Sequence, residues 1–300
     1  MFYLLLYAIV TVISYLLIHS STNQFPQELL ITVCTVYTIF FYNIINYKTI
    51  TTTYSKLLNQ KKIYFILMFS LLIIWASTFI GIHFISPTFF MFVMMVIGAA
   101  YGAMFNYRDS KNRTDLIIFV FMALGILLFI GSIIQQYALK EALLLTLFII
   151  IVGGFDYLYA KTSYAISMQL TLSASEILAV RFWLMLIIPI GIIISNSLFE
   201  GQHYLEYLRI PNFYWTTSLM TVFSFIIPIY CYQKSILVIG ANDTLLYCAG
   251  LPCMMYVTEI VLNIKSGTTA TMGYLTLFLL IPIIIRIYTR IYQCKIKTIS

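Results

Sequence analysis

Ten apolar stretches separated by short polar breaks occupy the whole of this 300-residue chain, and they exclude a water-soluble fold. They fall near 2–18, 26–46, 63–83, 87–106, 115–134, 141–161, 174–195, 212–233, 243–264 and 268–288. Each approaches the roughly 20 residues that a helix needs to cross about 30 Å of hydrocarbon. With 62% hydrophobic and 9% charged residues, the chain has too little polar surface to cover itself in water. The reading is an all-α integral membrane protein with ten transmembrane helices, the lipid bilayer as its surroundings, and no soluble domain.

A formal charge of +7 can point to nucleic acid, but the placement of the basic residues points to membrane orientation instead. With the N-terminus inside, thirteen of the seventeen Lys and Arg fall on the inner side: Lys48, Lys56, Lys61, Lys62, Arg108, Lys111, Arg113, Lys161, Lys234, Arg286, Arg290, Lys295 and Lys297. Lys140, Arg209 and Lys265 fall outside, and Arg181 lies within a span. That asymmetry is the positive-inside pattern. Both termini are therefore expected in the cytoplasm, and no nucleic acid is expected as a partner. The first span lacks a basic leader and a small-residue cleavage site, so it reads as a retained helix. The expected location is a cell membrane, the bacterial inner membrane, as a multi-pass monomer or homodimer.

Cofactor and metal chemistry find no support in the sequence. Cys34, Cys231, Cys248 and Cys253 sit in apolar spans and Cys294 in the inner tail, with no CxxC spacing. Neither a Walker A sequence nor a GxSxG elbow nor an HExxH is present. No metal, cofactor or catalytic residue is expected, and a carrier built this way has to run on a gradient or on exchange.

The chain divides near its midpoint. Pro26-Gln27-Glu28-Leu29-Leu30-Ile31-Thr32-Val33 opens the second span much as Ala174-Ser175-Glu176-Ile177-Leu178-Ala179-Val180-Arg181 opens the seventh. Ser86-Pro87-Thr88 leads into the fourth span as Asn242-Asp243-Thr244 leads into the ninth. Two sets of five spans, at 1–138 and 139–300, suggest a duplication. Because five is odd, the second copy starts on the opposite side of the membrane, which makes a 5+5 inverted-topology repeat.

The stretch Lys234-Ser235-Ile236-Leu237-Val238-Ile239-Gly240-Ala241-Asn242-Asp243-Thr244, followed by Pro252, Glu259 and Gly273, resembles the last helices of the drug/metabolite transporter superfamily, EamA type. Ser175-Glu176-Ile177-Leu178-Ala179-Val180-Arg181-Phe182 is similar to that family's start of the second helix of a repeat. The resemblance covers about residues 141–290. In the first half Val33, Val96 and Ala103 stand where the family has Arg, Pro and Glu. It implies a ten-helix carrier with both termini inside and a central cavity formed mainly by the first, third, fourth, sixth, eighth and ninth helices. It implies no particular solute.

Ionisable groups within spans cost several kcal/mol unless they meet a partner or water, so they mark candidate sites. Asp156 and Arg181 lie at similar depth on consecutive spans, and either an ion pair or the binding of a charged solute fits them. Gly153, Asp156, Tyr159 and Ser163 share one face of the sixth span. Glu259 has no basic residue at its depth; it either carries a coupling proton or caps a neighbouring helix. Pro228 and Pro252 fall mid-span, as hinges or packing bends. Of the interior aromatics, Trp75, Tyr159, Tyr230, Tyr247 and Tyr256 are the expected stacking and hydrogen-bonding groups for a small-molecule solute, with Asp156 supplying charge.

Two functions of different class follow. One is a secondary-active transporter, an exporter or exchanger, of a small polar or amphipathic metabolite such as an amino acid, working by alternating access. The alternative is a membrane-embedded enzyme acting on a lipid-linked substrate. Such an enzyme gathers acid and base groups at the membrane surface, and the short loops here offer no such cluster.

Overall fold

The structure is a computed structural model and describes residues 2–84, 87–136, 139–199, 201, 203–262 and 270–299. Gln202 and Lys265, both of expected outer loops, lie outside the described residues. Ten helical spans among them are long and apolar enough to cross a membrane. The first six are α1 (Phe2–Thr22), α2 (Gln27–Ile45), α4 (Lys61–Phe84), α5 (Pro87–Ser110), α6 (Arg113–Gln136) and α7 (Leu139–Leu170). The remaining four are each built from shorter pieces. Span seven joins α8 (Ala174–Val180) to α9 (Trp183–Phe199). Span eight runs from α11 (Pro211–Met220) through a π-helical turn (Thr221–Ile226) into α12 (Ile227–Ile239). Spans nine and ten join α13 (Ala241–Cys248) to α14 (Leu251–Val261), and α15 (Ala270–Phe278) to α16 (Leu280–Ile299).

Several elements differ from the expectation, the sixth span and the break after the second among them. The sixth span continues to Leu170 rather than ending near 161. Lys161-Thr162-Ser163 interrupt the hydropathy but not the helix, which stops only where Thr171 takes φ +52°. The break after the second span contains a helix of its own, α3 (Ile50–Leu58), which buries Thr53 and Leu57 one turn apart. Lys56 Nζ donates to the C-terminal carbonyl of Leu170 (3.2 Å), and Trp183 Nε1 donates to Tyr54 Oη (2.5 Å). A short α10 (Tyr204–Tyr207) follows α9, and Tyr204 donates to Glu28 in the first turn of α2.

Local chemistry sets several boundaries. Ser173 caps α8 through a full capping box with Glu176, its own N–H donating to Glu176 Oε2 at 2.8 Å. Gly240 ends α12 at φ +90°, a backbone angle that favours a residue without Cβ. Within the spans Thr38, Thr78, Thr217, Thr221 and Thr289 each donate back to the carbonyl four residues earlier, so their hydroxyls need no partner in lipid.

The helices form two compact units. Unit 1 comprises residues 1–85 and 158–240, and unit 2 residues 86–157 and 241–300. The boundary cuts α7 between Tyr157 and Leu158. In unit 1, α1 packs on α12 and α4, while α2 packs on α8 and α9. In unit 2, α5 packs on α6, α13 and α14, while α6 also meets α15 and α16. Each unit thus mixes spans from both sequence halves, and the second span neighbours the seventh, the fourth the ninth and the fifth the tenth. Large apolar side chains such as Leu127, Leu143, Leu147, Ile187 and Leu198 stand exposed on these helices. Large apolar side chains exposed in such number suit lipid and not water.

Candidate functional site

The seventh span is interrupted at a buried charge. α8 ends at Val180 and α9 begins at Trp183, leaving Arg181 and Phe182 between them. Arg181 is 1% exposed and is among the largest fully buried side chains of the protein. Its guanidinium lies over the ring of Tyr159 (4.9 Å) and over that of Phe182 (5.1 Å). Its Nη1 donates to Gln233 Oε1 at 3.1 Å. The same oxygen accepts from Tyr159 Oη (2.9 Å) and from Ser163 Oγ (2.7 Å). Three donors therefore converge on one amide oxygen of α12, itself wholly buried. Among the described residues Arg181 has no carboxylate partner. Tyr159 and Tyr7 both stack on Tyr232, at 6.2 and 5.1 Å between ring centroids, which extends the cluster toward α1.

Interrupted helices in lipid need outside donors for the carbonyls they free. Two tyrosines of unit 1 supply them. Tyr64 Oη donates to Val180 O at 2.6 Å, at the break in span seven, and Tyr42 Oη donates to Ile226 O at 2.8 Å, where the π-helical turn ends. Pro228 and Pro252 each sit in the first turn of a new segment, α12 and α14, where a missing N–H costs little. Pro189, by contrast, lies inside α9 without ending it.

The polar face of α7 is shared between the units. Tyr159 and Ser163 belong to unit 1 and hold Gln233. Gly153 and Asp156 belong to unit 2 and face α5, where a Cβ on Gly98 would stand 2.7 Å from Asp156 Oδ2. Asp156 is 3% exposed. Glu259, 1% exposed, accepts the backbone N–H of Thr88 at 3.0 Å, in the first turn of α5. A carboxylate there both satisfies an orphan donor and meets the positive end of the helix dipole. Replacing Glu259 by Gln keeps an acceptor for Thr88, so thermal unfolding in detergent is expected to change little. Glu259→Ala is expected to lose about 1 kcal/mol, and equal unfolding of the two variants would remove the capping role.

The remaining expected residues are spread over the two units. Trp75 stacks on Phe225 (4.2 Å, 17°) and packs near Phe79, within unit 1. Tyr230 meets Tyr3 edge-on at 6.4 Å. In unit 2 Tyr247 is half-buried on α13, and the Tyr256 ring fills the space beside Gly273, where a Cβ would come within 2.7 Å of it. The residue that sequence reasoning missed is Gln233. It is a lone amide at the polar end of an apolar stretch, and its spacing to Tyr159 and Ser163 is not local.

A second polar cluster, also unforeseen, ties α5, α6, α13 and α16 within unit 2. Arg286 donates Nε to Asp243 Oδ1 (2.8 Å) and Nη1 to Asp115 Oδ1 (3.2 Å), and Arg290 pairs with Asp243. Asp115 Oδ2 also accepts from Asn106 Nδ2 (2.8 Å), and Asn242 Nδ2 reaches Asn106 Oδ1 at 3.1 Å. The small cavity they line, about 10 Å³, has room for a single water. Among the described residues no group of His, Cys, Asp and Glu is arranged to hold a metal. No family model matches the chain, and no curated protein sequence matches it.

Proposed function

We propose that this protein is a secondary-active membrane carrier of the drug/metabolite transporter kind, moving a small polar or amphipathic metabolite across a cell membrane by alternating access. The observation that carries the reading is the break of span seven at Arg181, a buried charge beside an aromatic wall. Interrupted helices with charged or polar groups at the interruption are a feature of carrier sites, because the freed backbone and the side chain both need polar company at membrane depth. Spans eight to ten are interrupted as well, which gives the protein places to bend.

The helix neighbours support a 5+5 inverted repeat. In such a repeat an axis in the membrane plane exchanges span i with span i+5, so spans next to that axis meet their own counterparts. Contacts of the second with the seventh, the fourth with the ninth and the fifth with the tenth fit that rule. In this reading Arg181 handles charge and Tyr159, Tyr230 and Trp75 stack and hydrogen-bond within unit 1, while within unit 2 Asp156 is a second buried charge and Glu259 serves coupling only if its carboxylate releases Thr88.

Uptake of a broad panel of labelled metabolites into proteoliposomes, with and without a pH gradient, tests the carrier. Saturable, protein-dependent flux of at least one solute is the expected result, and none across the panel would sink the reading. Topology has its own test. Single cysteines at positions 56 and 111 are expected to react with an impermeant maleimide only after cells are opened. Labelling of position 111 in intact cells contradicts the inverted repeat and the cytoplasmic termini.

A further inference from the structure

From the Arg181–Gln233 cluster we infer that the solute is an acid, and that Arg181 is the group that takes its carboxylate. The inference rests on the carrier reading and narrows its substrate class. Its ground is a surplus of donors. Gln233 Oε1 is saturated by Tyr159, Ser163 and Arg181, which fixes the amide with its nitrogen turned away from them. That nitrogen, Gln233 Nε2, is buried with no hydrogen-bond partner, and so is Arg181 Nε. Gln233 is 0% and Arg181 1% exposed, so neither donor is served by bulk water. Both spare groups donate and neither accepts, and one carries a positive charge.

Geometry narrows the class further. The Tyr159 and Phe182 rings cover the guanidinium, so it is reached along its planar edge. Nη1 is spent on Gln233, which leaves the edge bearing Nε and Nη2, the two parallel donors that a planar carboxylate accepts side-on. An unpaired buried guanidinium is costly in lipid, and a carboxylate arriving there removes that cost. Binding energy of this kind is available only while the acid is present, which suits a site that has to load and release.

The test uses purified full-length protein in detergent and the melting temperature read against sodium acetate, with sodium chloride at equal ionic strength, acetamide and inorganic phosphate as comparison arms. Acetate is expected to raise the melting temperature saturably, and acetamide is expected to do nothing. Arg181→Lys keeps the charge but loses the fork, and is expected to weaken the apparent acetate affinity at least tenfold. Gln233→Glu places a carboxylate beside the guanidinium permanently; it is expected to melt higher without ligand and to ignore acetate. That variant decides the matter if Arg181→Lys does not fold. An equal response to acetate and acetamide would mean that the donors do not select a carboxylate, and a response to phosphate without one to acetate would make the site one for tetrahedral anions. Either result overturns the proposal, as does an undiminished acetate response in Gln233→Glu. Because the assay reads binding and not flux, its failure is separate from that of the carrier. Acetate binding without flux in the metabolite panel leaves the site and removes the carrier, and flux without acetate binding does the reverse.

Discussion

Arg286→Met is expected to be among the most destabilising single changes in the protein. The side chains of Asp115 and Asp243 are each 6% exposed, and that of Arg286 is 17% exposed while bridging both. Without it Asp243 keeps Arg290, but among the described residues Asp115 keeps only neutral donors, from Asn106 and Ser110. Removing one partner of a buried ion pair costs about 3–5 kcal/mol, because the charge left behind is desolvated and uncompensated. The loss extends beyond one contact. Asp115 and Asp243 stand in the first turns of α6 and α13, so the arginine ties two helix starts to α16. Thermal unfolding in detergent is expected to fall by on the order of 10 °C. Adding Asp115→Asn to Arg286→Met removes the stranded charge and is expected to recover much of that loss. Should Arg286→Met melt with the wild type, the network contributes nothing to stability and its geometry is incidental.

What the sequence made legible was the membrane, and what it hid was mostly non-local. Ten spans are visible because twenty apolar residues in a row have one stable home, and the helices begin and end within a few residues of the expected bounds for most of them. The sixth span shows why some ends are missed. Hydropathy falls at Lys161, yet nothing breaks the backbone before Thr171, so the helix outruns its apolar stretch. The seventh span shows the converse. Val180-Arg181-Phe182 holds neither glycine nor proline, so no local signal announces the break there, whereas Pro189 gives a signal and α9 continues through it. What stabilises the break is Tyr64 on another helix, 116 residues away in sequence. Pro228 and Pro252 were legible as interruptions because they act through their own missing N–H. Among the site residues, Arg181 and Asp156 stood out as charges in apolar surroundings. Gln233, which organises the cluster, did not, because an amide near the polar end of a span is unremarkable until Tyr159 and Ser163 are seen to point at it.

The seam between α5 and α7 is where a single methyl group is expected to matter most. A Cβ on Gly153 would fall 2.5 Å from Cβ and Cγ2 of Ile97 and 3.2 Å from the backbone nitrogen of Gly98. Side chains can move but backbone nitrogen cannot without shifting α5, and Ile97 is β-branched and 4% exposed, with little freedom to turn away. Small residues are what allow helices to come this close in lipid, where no hydrophobic effect drives them together. Gly153→Ala is therefore expected to cost about 1–3 kcal/mol through overpacking, despite the higher helix propensity of alanine. The same shift would move Gly98 relative to Asp156, so the effect reaches a buried carboxylate as well. The matched control is Ile97→Ala. It removes the colliding Cγ2 and, combined with Gly153→Ala, is expected to melt higher than Gly153→Ala alone, although Ile97→Ala by itself destabilises by opening a cavity. A double variant whose losses simply add, measured by thermal unfolding in the same detergent, would mean that the two residues do not meet and that this seam is looser than the geometry indicates.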